Sequence, residues 1–184
     1  EMARKKGVCV MVDNTFGCGG YLFRPMDWGA NVSIHSATKW ICGHGTTLGG
    51  VVVDGGNFEW TTEKYPLLAA PSESYHGVVY TEAFGNSAFA GRVRVDGLRN
   101  IGPAQSPFNS FLMLQGLETL SLRAERSCDN TLAVAQFLES NPAVESVNYP
   151  GLKSNPYHEL ACKYLEHGFG AVLTFRVKGG FEAA

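Results

Sequence analysis

No stretch of this chain offers the roughly 20 apolar residues in a row that a membrane-spanning helix needs. Val8-Cys9-Val10-Met11-Val12, behind Met2 and Arg4-Lys5-Lys6, mimics the start of a signal peptide, but Asp13 cuts it after five residues, short of an h-region. Charge of neither sign prevails: 15 basic residues stand against 17 acidic ones, a formal net charge of −2. Without a basic stripe interleaved with aromatics, neither nucleic acid nor a membrane is an expected partner, and a small molecule is. Cysteine is sparse. Cys9, Cys18, Cys42, Cys128 and Cys162 form no CxxC pair and are odd in number, which suits a reducing compartment and makes cytoplasmic the default location. His35 and His44 bracket a lysine, yet no third ligand stands at metal spacing, so no metal is expected. Internal repeats and low-complexity tracts are lacking as well. What is present is a globular composition, 184 residues of which 45% are hydrophobic, enough for one or two domains.

The chemistry-bearing residue is Lys39, in Val32-Ser33-Ile34-His35-Ser36-Ala37-Thr38-Lys39-Trp40. An apolar strand delivers it and a glycine-rich loop follows. A lysine held there, away from full hydration, has its ammonium form disfavoured and becomes a nucleophilic amine able to form a Schiff base. The hydroxyls of Ser36 and Thr38, with N–H groups of a Gly-rich turn, are what a phosphate beside that Schiff base requires. Lysine plus a phosphate cradle points to pyridoxal phosphate. Taken alone, the same pattern suits a surface lysine after a buried strand.

Asp13 ends the apolar run Val8 to Val12, so its carboxylate emerges at a strand's carboxyl end. The residues between Asp13 and Asn31 suffice for the crossover that a parallel pair demands, which sets both chemistries at one sheet edge. A carboxylate there can pair with a pyridinium nitrogen and keep it protonated. Asp13-Asn14-Thr15-Phe16-Gly17 would equally close the strand in an Asx turn. Cys42, three residues after Lys39, can be read as a thiol activated by a cation or as a small buried hydrophobe, the commoner use of free cysteine.

The organisation expected is α/β: a parallel-rich central sheet with helices over residues 1–122, then a smaller α+β part over 123–184. Strands are expected at Val8 to Val12, Val32 to His35 and Leu48 to Val53, the first and last covered on both faces. Residues 54–80 read as a long insertion without clear period. Ser106-Pro107 supplies an N-cap and a proline at N1 for a helix with the stripe Phe108, Phe111, Leu112, Leu117 and Leu120. Ala133, Val134, Phe137 and Leu138 continue helical spacing until Asn141-Pro142. A strand is expected from Val144 to Tyr149, a helix around Leu160 to Leu165, and a strand from Ala171 to Val177. Arg4-Lys5-Lys6-Gly7 reads as the last turn of a helix, and Phe181-Glu182-Ala183-Ala184 as the start of another, so the chain looks like a piece of an enzyme.

Val12-Asp13-Asn14-Thr15-Phe16, Gly29-Ala30, His35-Ser36-Ala37-Thr38-Lys39-Trp40, Ser106-Pro107-Phe108-Asn109, Gly116-Leu117-Glu118-Thr119-Leu120 and Tyr149-Pro150-Gly151-Leu152, in that order, resemble the cystathionine γ-synthase-like (Cys/Met metabolism) family of pyridoxal-phosphate enzymes. The resemblance covers nearly the whole chain. Gly43-His44-Gly45-Thr46-Thr47-Leu48-Gly49-Gly50 and Ser74-Tyr75-His76-Gly77 most resemble its O-acetylhomoserine sulfhydrylase branch.

The resemblance implies part of a fold-type I transferase, with Lys39 as the Schiff-base lysine and catalytic base, Asp13 as the pyridinium partner, and Ser36 and Thr38 as phosphate ligands. It implies γ-replacement on O-acetyl-L-homoserine by sulfide, giving L-homocysteine and acetate, in an enzyme built as a tetramer of dimers that share active sites. A cystathionine γ-synthase or a γ-lyase of the same family is the alternative, and a catalytically silent interaction fragment the alternative of another class. The family's ring-stacking tyrosine, its upstream phosphate turn and its substrate-carboxylate arginine match no motif here, so the isolated chain is expected to be inactive.

Overall fold

The computed structural model describes residues 2–183. Two small sheets organise the chain. In the first, β1 (Met11–Asp13) runs parallel to β2 (Val32–Ser36), with Met11 opposite Val32 and Asp13 opposite Ile34. The third strand, β3 (Gly50–Asp54), pairs antiparallel to β2, with Ser33 opposite Val53 and Ser36 opposite Gly50. The order is β1-β2-β3, so β2 is central and the sheet is mixed. Residues 37–49, which join β2 to β3, hold turns and no helix. The β1–β2 crossover is itself made of 3₁₀ turns, Thr15–Gly20 and Pro25–Trp28, the second started by proline at N1 and stopped by Gly29 at φ 89°.

Both strand boundaries and burial depart from the sequence expectation. Val8 lies before β1, Leu48 lies before β3, and Val51, Val52 and Val53 are exposed where cover on both faces was expected. The covered strand is β2, whose Val32, Ser33 and His35 are buried. Its place between two neighbours, with the 3₁₀ turns packed on it, accounts for this; β3 is an edge.

Before the sheet stands a short helix, α1 (Met2–Lys5), basic in its last turn and followed by Gly7 at φ 58°, as the sequence reading anticipated. The insertion at 54–80 is ordered by an aromatic cluster: Trp60 packs edge-on against Phe58 and Tyr65 and stacks on Phe89. It contains α2 (Pro66–Ala69), and leads into α3 (Tyr80–Phe84), α4 (Ala88–Arg92), a π-helical turn over Val93–Leu98 and α5 (Arg99–Ile101). Asp54 ties β3 to this region by accepting from the Gly56 and Ala90 amides at 3.0 and 3.1 Å.

Helix α6 (Pro107–Leu117) begins at Pro107, with Ser106 extended before it, but buries Met113 and Gly116, not the expected stripe: Phe108, Phe111 and Leu117 are exposed. Close approach selects this face. A Cβ on Gly116 would overlap the Cys42 carbonyl and stand 2.6 Å from the Ile41 oxygen, so the helix backbone lies directly on the loop after Lys39. Helix α7 (Leu120–Ser140) buries Leu120, Ala124 and Cys128, four residues apart on one face, against Cys18 and Leu22. Its second half buries Ala135 against Tyr149 and Leu152, while Val134 and Phe137 are exposed. After Asn141 the chain forms β4 (Val144–Asn148), α8 (His158–Tyr164) and β5 (Thr174–Val177), β4 and β5 pairing antiparallel. A 3₁₀ turn over Gly180–Ala183 stands where a helix was expected; Glu1 and Ala184 lie outside the described residues.

Candidate active site

The carboxyl ends of β1 and β2 meet through one threonine. Asp13 ends β1, and its Oδ1 accepts from the Thr15 amide at 3.0 Å and the Thr15 hydroxyl at 2.6 Å, which is an Asx turn. The same Thr15 oxygen accepts the Ser36 amide at 2.8 Å, at the end of β2. The turn and the site are therefore one structure. The carboxyl of Asp13 is held below its ordinary range, first by the Thr15 hydroxyl, then by the Thr15 amide, with a smaller contribution from His35, so it is an exposed anion at the sheet edge. Asn14 beside it is buried; its amide donates to Ile34 at 2.7 Å and its side chain to the Phe23 carbonyl at 2.8 Å, fixing the strand end.

Past β2 the chain turns tightly. The Lys39 amide donates to Ser36 O at 3.1 Å, Cys42 to Ala37 O at 2.8 Å and Gly43 to Lys39 O at 2.7 Å. Thr38 Oγ1 accepts the Gly49 amide at 3.0 Å and donates to the Gly49 carbonyl at 3.4 Å, closing the loop 38–49. The Lys39 side chain is exposed, not withdrawn from water as the sequence suggested, because the turn that carries it projects beyond the sheet. It borders a cavity of about 550 Å³ shared with Trp40, Gly43, Arg123 and Arg126. Asp13, Ser36 and Thr38 do not line that cavity; Asp13 and Ser36 are joined at the strand ends through Thr15, and Thr38 is bonded to Gly49.

Arg123, from the first turn of α7, was not singled out by sequence. Its Nη2 donates to Trp40 O at 3.0 Å and Gly116 O at 2.7 Å, and its Nε to Thr119 Oγ1 at 3.1 Å. The sequence signal was the Thr119/Arg123 spacing of four on one helix face, but nothing local pairs that face with Trp40.

The Gly-rich turn behaves differently from the phosphate cradle expected. Hydrogen bonds from the amides of His44, Thr46 and Gly45 and from the Thr46 hydroxyl converge on Cys42 and hold its thiol below the usual range, the His44 amide leading, although burial opposes this. Cys42 is fully buried, packed with Ala37 and Met113, in keeping with the small-hydrophobe reading. His35 is buried with Nε2 3.0 Å from Ser33 Oγ, and burial lowers its pKa, against the opposing pull of Asp13. His44 pairs with the Cys42 carbonyl at 2.8 Å. Among the described residues no three His, Cys or carboxylate groups converge as a metal site would require.

Comparison with known proteins gives these positions a context. The chain is 55% identical over 184 residues to O-acetyl-L-homoserine sulfhydrylase 1 of Thermus thermophilus, covering 100% of this chain and 44% of that protein. It is 56% identical over 182 residues to homocysteine synthase of Schizosaccharomyces pombe, covering 98% of this chain and 42% of the relative. The chain thus spans less than half the length of these relatives. Among solved structures, a Campylobacter jejuni protein assigned as O-acetylhomoserine (thiol)-lyase, which carries a pyridoxyl-lysine monophosphate, superposes with a TM-score of 0.89 at 36% identity, over 96% of this chain and 44% of that one. The MetB protein of Corynebacterium glutamicum gives a TM-score of 0.73 at 34% identity, over 100% and 39%. The model of the Cys/Met metabolism PLP-dependent enzymes matches residues 1–184. With that match running the whole length, and a lysine, a carboxylate and two hydroxyls at the ends of adjacent strands, the chain belongs to the Cys/Met metabolism family of pyridoxal-phosphate-dependent enzymes.

Proposed function

We propose that this chain is the part of an O-acetylhomoserine sulfhydrylase that carries the cofactor lysine, and that the whole enzyme replaces the γ-acetoxy group of O-acetyl-L-homoserine with sulfide to give L-homocysteine and acetate. The observation that carries the reading is the Thr15 hydroxyl shared between the Asp13 carboxylate and the Ser36 amide, three residues before Lys39. It places an ionised carboxylate and a hydroxyl-bearing strand end side by side, as a ligand with a cationic ring nitrogen and a phosphate needs. The residues fit that group. Asp13 would hold the ring nitrogen protonated; Ser36, and Thr38 by exchanging its long 3.4 Å bond to the Gly49 carbonyl, would donate to the phosphate; Lys39 would hold the aldehyde carbon.

Pyridoxal phosphate, when bound, supplies an electron sink for a substrate carbanion. The rest is the work of this chain. Once released by the incoming substrate amine, the Lys39 amine is the base placed to take the proton from Cα. A γ-replacement needs a second proton removed at Cβ before acetate leaves, and a four-carbon stem lets one amine reach both positions. Asp13, its pKa lowered by Thr15, would present a carboxylate to the ring nitrogen.

The reading further assigns residues 1–122 to the cofactor-binding part and 123–184 to the beginning of a smaller part, the long helix α7 leading from one to the other. It includes a homotetramer of dimers with shared sites and a cytoplasmic location, in keeping with five cysteines that are all free thiols. Among the described residues no helix is long and apolar enough to cross a membrane. The test is borohydride reduction of the full-length enzyme, peptide mapping, and homocysteine assay with sulfide. A phosphopyridoxyl label on Lys39 with homocysteine formed from O-acetylhomoserine is the expected result; a label on Lys64 or Lys153 would sink the site.

A further inference from the structure

We infer that Arg123 is a positioning residue for Lys39, setting the turn from which the amine is presented. The inference rests on the reading of Lys39 as the cofactor lysine. One planar guanidinium joins three elements: the carbonyl of Trp40, directly after Lys39; the carbonyl of Gly116, in the last turn of α6; and the Thr119 hydroxyl at the α6–α7 junction. Gly116 O is among the terminal helix carbonyls that have no partner within their own helix, so the arginine satisfies it while gripping the lysine turn. All three acceptors are uncharged, and among the described residues no carboxylate forms an ion pair with Arg123. A charged side chain spent wholly on backbone carbonyls and a hydroxyl fixes geometry.

Two glycines make room for the grip. Gly43, at φ 76°, has the guanidinium where its side chain would be, with Nη1 2.6 Å from an added Cβ. Gly116 lets α6 lie on the Ile41 and Cys42 carbonyls. The turn 39–43 is thus held from below by α6 and from the side by α7, whereas the Lys39 side chain is exposed. With no packing to fix the side chain, its direction is set by the backbone turn, and the atoms that pin that turn to the helices are the Arg123 nitrogens. Lysine at position 123 has a single nitrogen and could not reach both carbonyls, which Nη2 holds, and the Thr119 hydroxyl, which Nε holds, in one fixed plane.

The test uses the full-length enzyme and reads cofactor affinity, the Lys39 label and the split between kcat and KM. Arg123→Met is expected to weaken pyridoxal phosphate binding about tenfold and to lower kcat roughly 10²-fold, the scale of a misplacement near 1 Å, with KM for O-acetylhomoserine within about twofold. Arg123→Lys is expected to recover little of this, and Thr119→Val, which removes the Nε acceptor and the long 3.5 Å bond from the Thr119 hydroxyl to Gly116 O but leaves the Nη2 grip on Trp40, to show a smaller loss of the same kind. Cofactor affinity and kcat within about twofold of wild type in Arg123→Met would overturn the inference, as would a loss confined to KM, which marks a substrate contact. Should Arg123→Met fail to fold, the two milder variants decide: wild-type kcat and cofactor affinity in both overturn the inference. A wild-type enzyme with no label on Lys39 brings down the functional reading and this inference together, whereas a labelled wild type with indifferent variants brings down the inference alone.

Discussion

The hydroxyl of Thr15 donates to the carboxylate of Asp13 at 2.6 Å, and this bond is the leading cause that lowers the carboxyl below its ordinary pKa. Two residues that sequence alone assigns to a turn therefore tune the acidity of the site. The same oxygen holds the Ser36 amide, so a change at position 15 acts on both strand ends at once.

Thr15→Val removes the hydroxyl and keeps the branched shape. Asp13 should then titrate at higher pH, closer to an ordinary carboxyl, as followed by NMR of its side-chain carbon. The sign for stability follows. A carboxyl whose folded-state pKa lies below its unfolded value stabilises at pH above the unfolded value and loses that contribution as pH falls through the folded one. The variant should show a weaker decline in stability on acidification in that window; an unchanged Asp13 titration would remove Thr15 as the cause.

Asp13→Asn keeps the shape and drops the charge. In the full-length enzyme it should slow α-proton abstraction by about 10²-fold or more, corresponding to about 3 kcal/mol of lost transition-state stabilisation. Single-turnover kinetics of α-proton exchange is the measurement. Near-normal exchange in a folded variant would leave Asp13 with the Asx turn and nothing more.

Lys39→Arg should not restore chemistry, because arginine stays protonated and cannot form the link that an amine forms. Homocysteine production at a rate above that of Lys39→Ala would contradict the assignment.

Gly116→Ala places a methyl group against the Cys42 and Ile41 carbonyls. Overpacking of this kind costs about 1–3 kcal/mol, and here both opposing atoms are backbone, which cannot rotate away. A urea midpoint unchanged from wild type would show that α6 can shift off the loop at no cost.

The exposed Lys39 also predicts that this 184-residue chain, purified alone, forms no homocysteine from O-acetylhomoserine and sulfide above its Lys39→Ala control. A hydrated amine lacks the water-excluded surroundings that strengthen electrostatic catalysis. Slow reaction with pyridoxal phosphate as an ordinary amine is compatible with that expectation; lysine-dependent turnover is not.

Helix α7 shows why local pattern carries so far and no further. Its length and its stop before Pro142 follow from spacing and from proline, which are properties of the chain itself. Its inward face does not. Val134 and Phe137 looked like the core side and are exposed, because Ala135 sits where Tyr149 and Leu152 arrive from distant sequence. The same holds for α6, where Gly116 faces inward and Phe108 outward, since the loop it meets admits only a residue without a side chain.

The sequence by itself determined the elements whose causes are local: the strand that delivers Lys39, the Asx turn at Asp13, the proline start of α6, the parallel β1–β2 pair that the spacing of Asp13 and Asn31 allows, and, through its motifs, the family. Only the tertiary structure decided the antiparallel direction of β3, the exposure of Lys39 and of Val51 to Val53, the joining of Asp13 to Ser36 through Thr15, and the grip of Arg123 on Trp40. Hydrogen bonds and close contacts between residues far apart in the chain depend on where whole elements come to rest, and nothing in the spacing along one element encodes the neighbour it will meet.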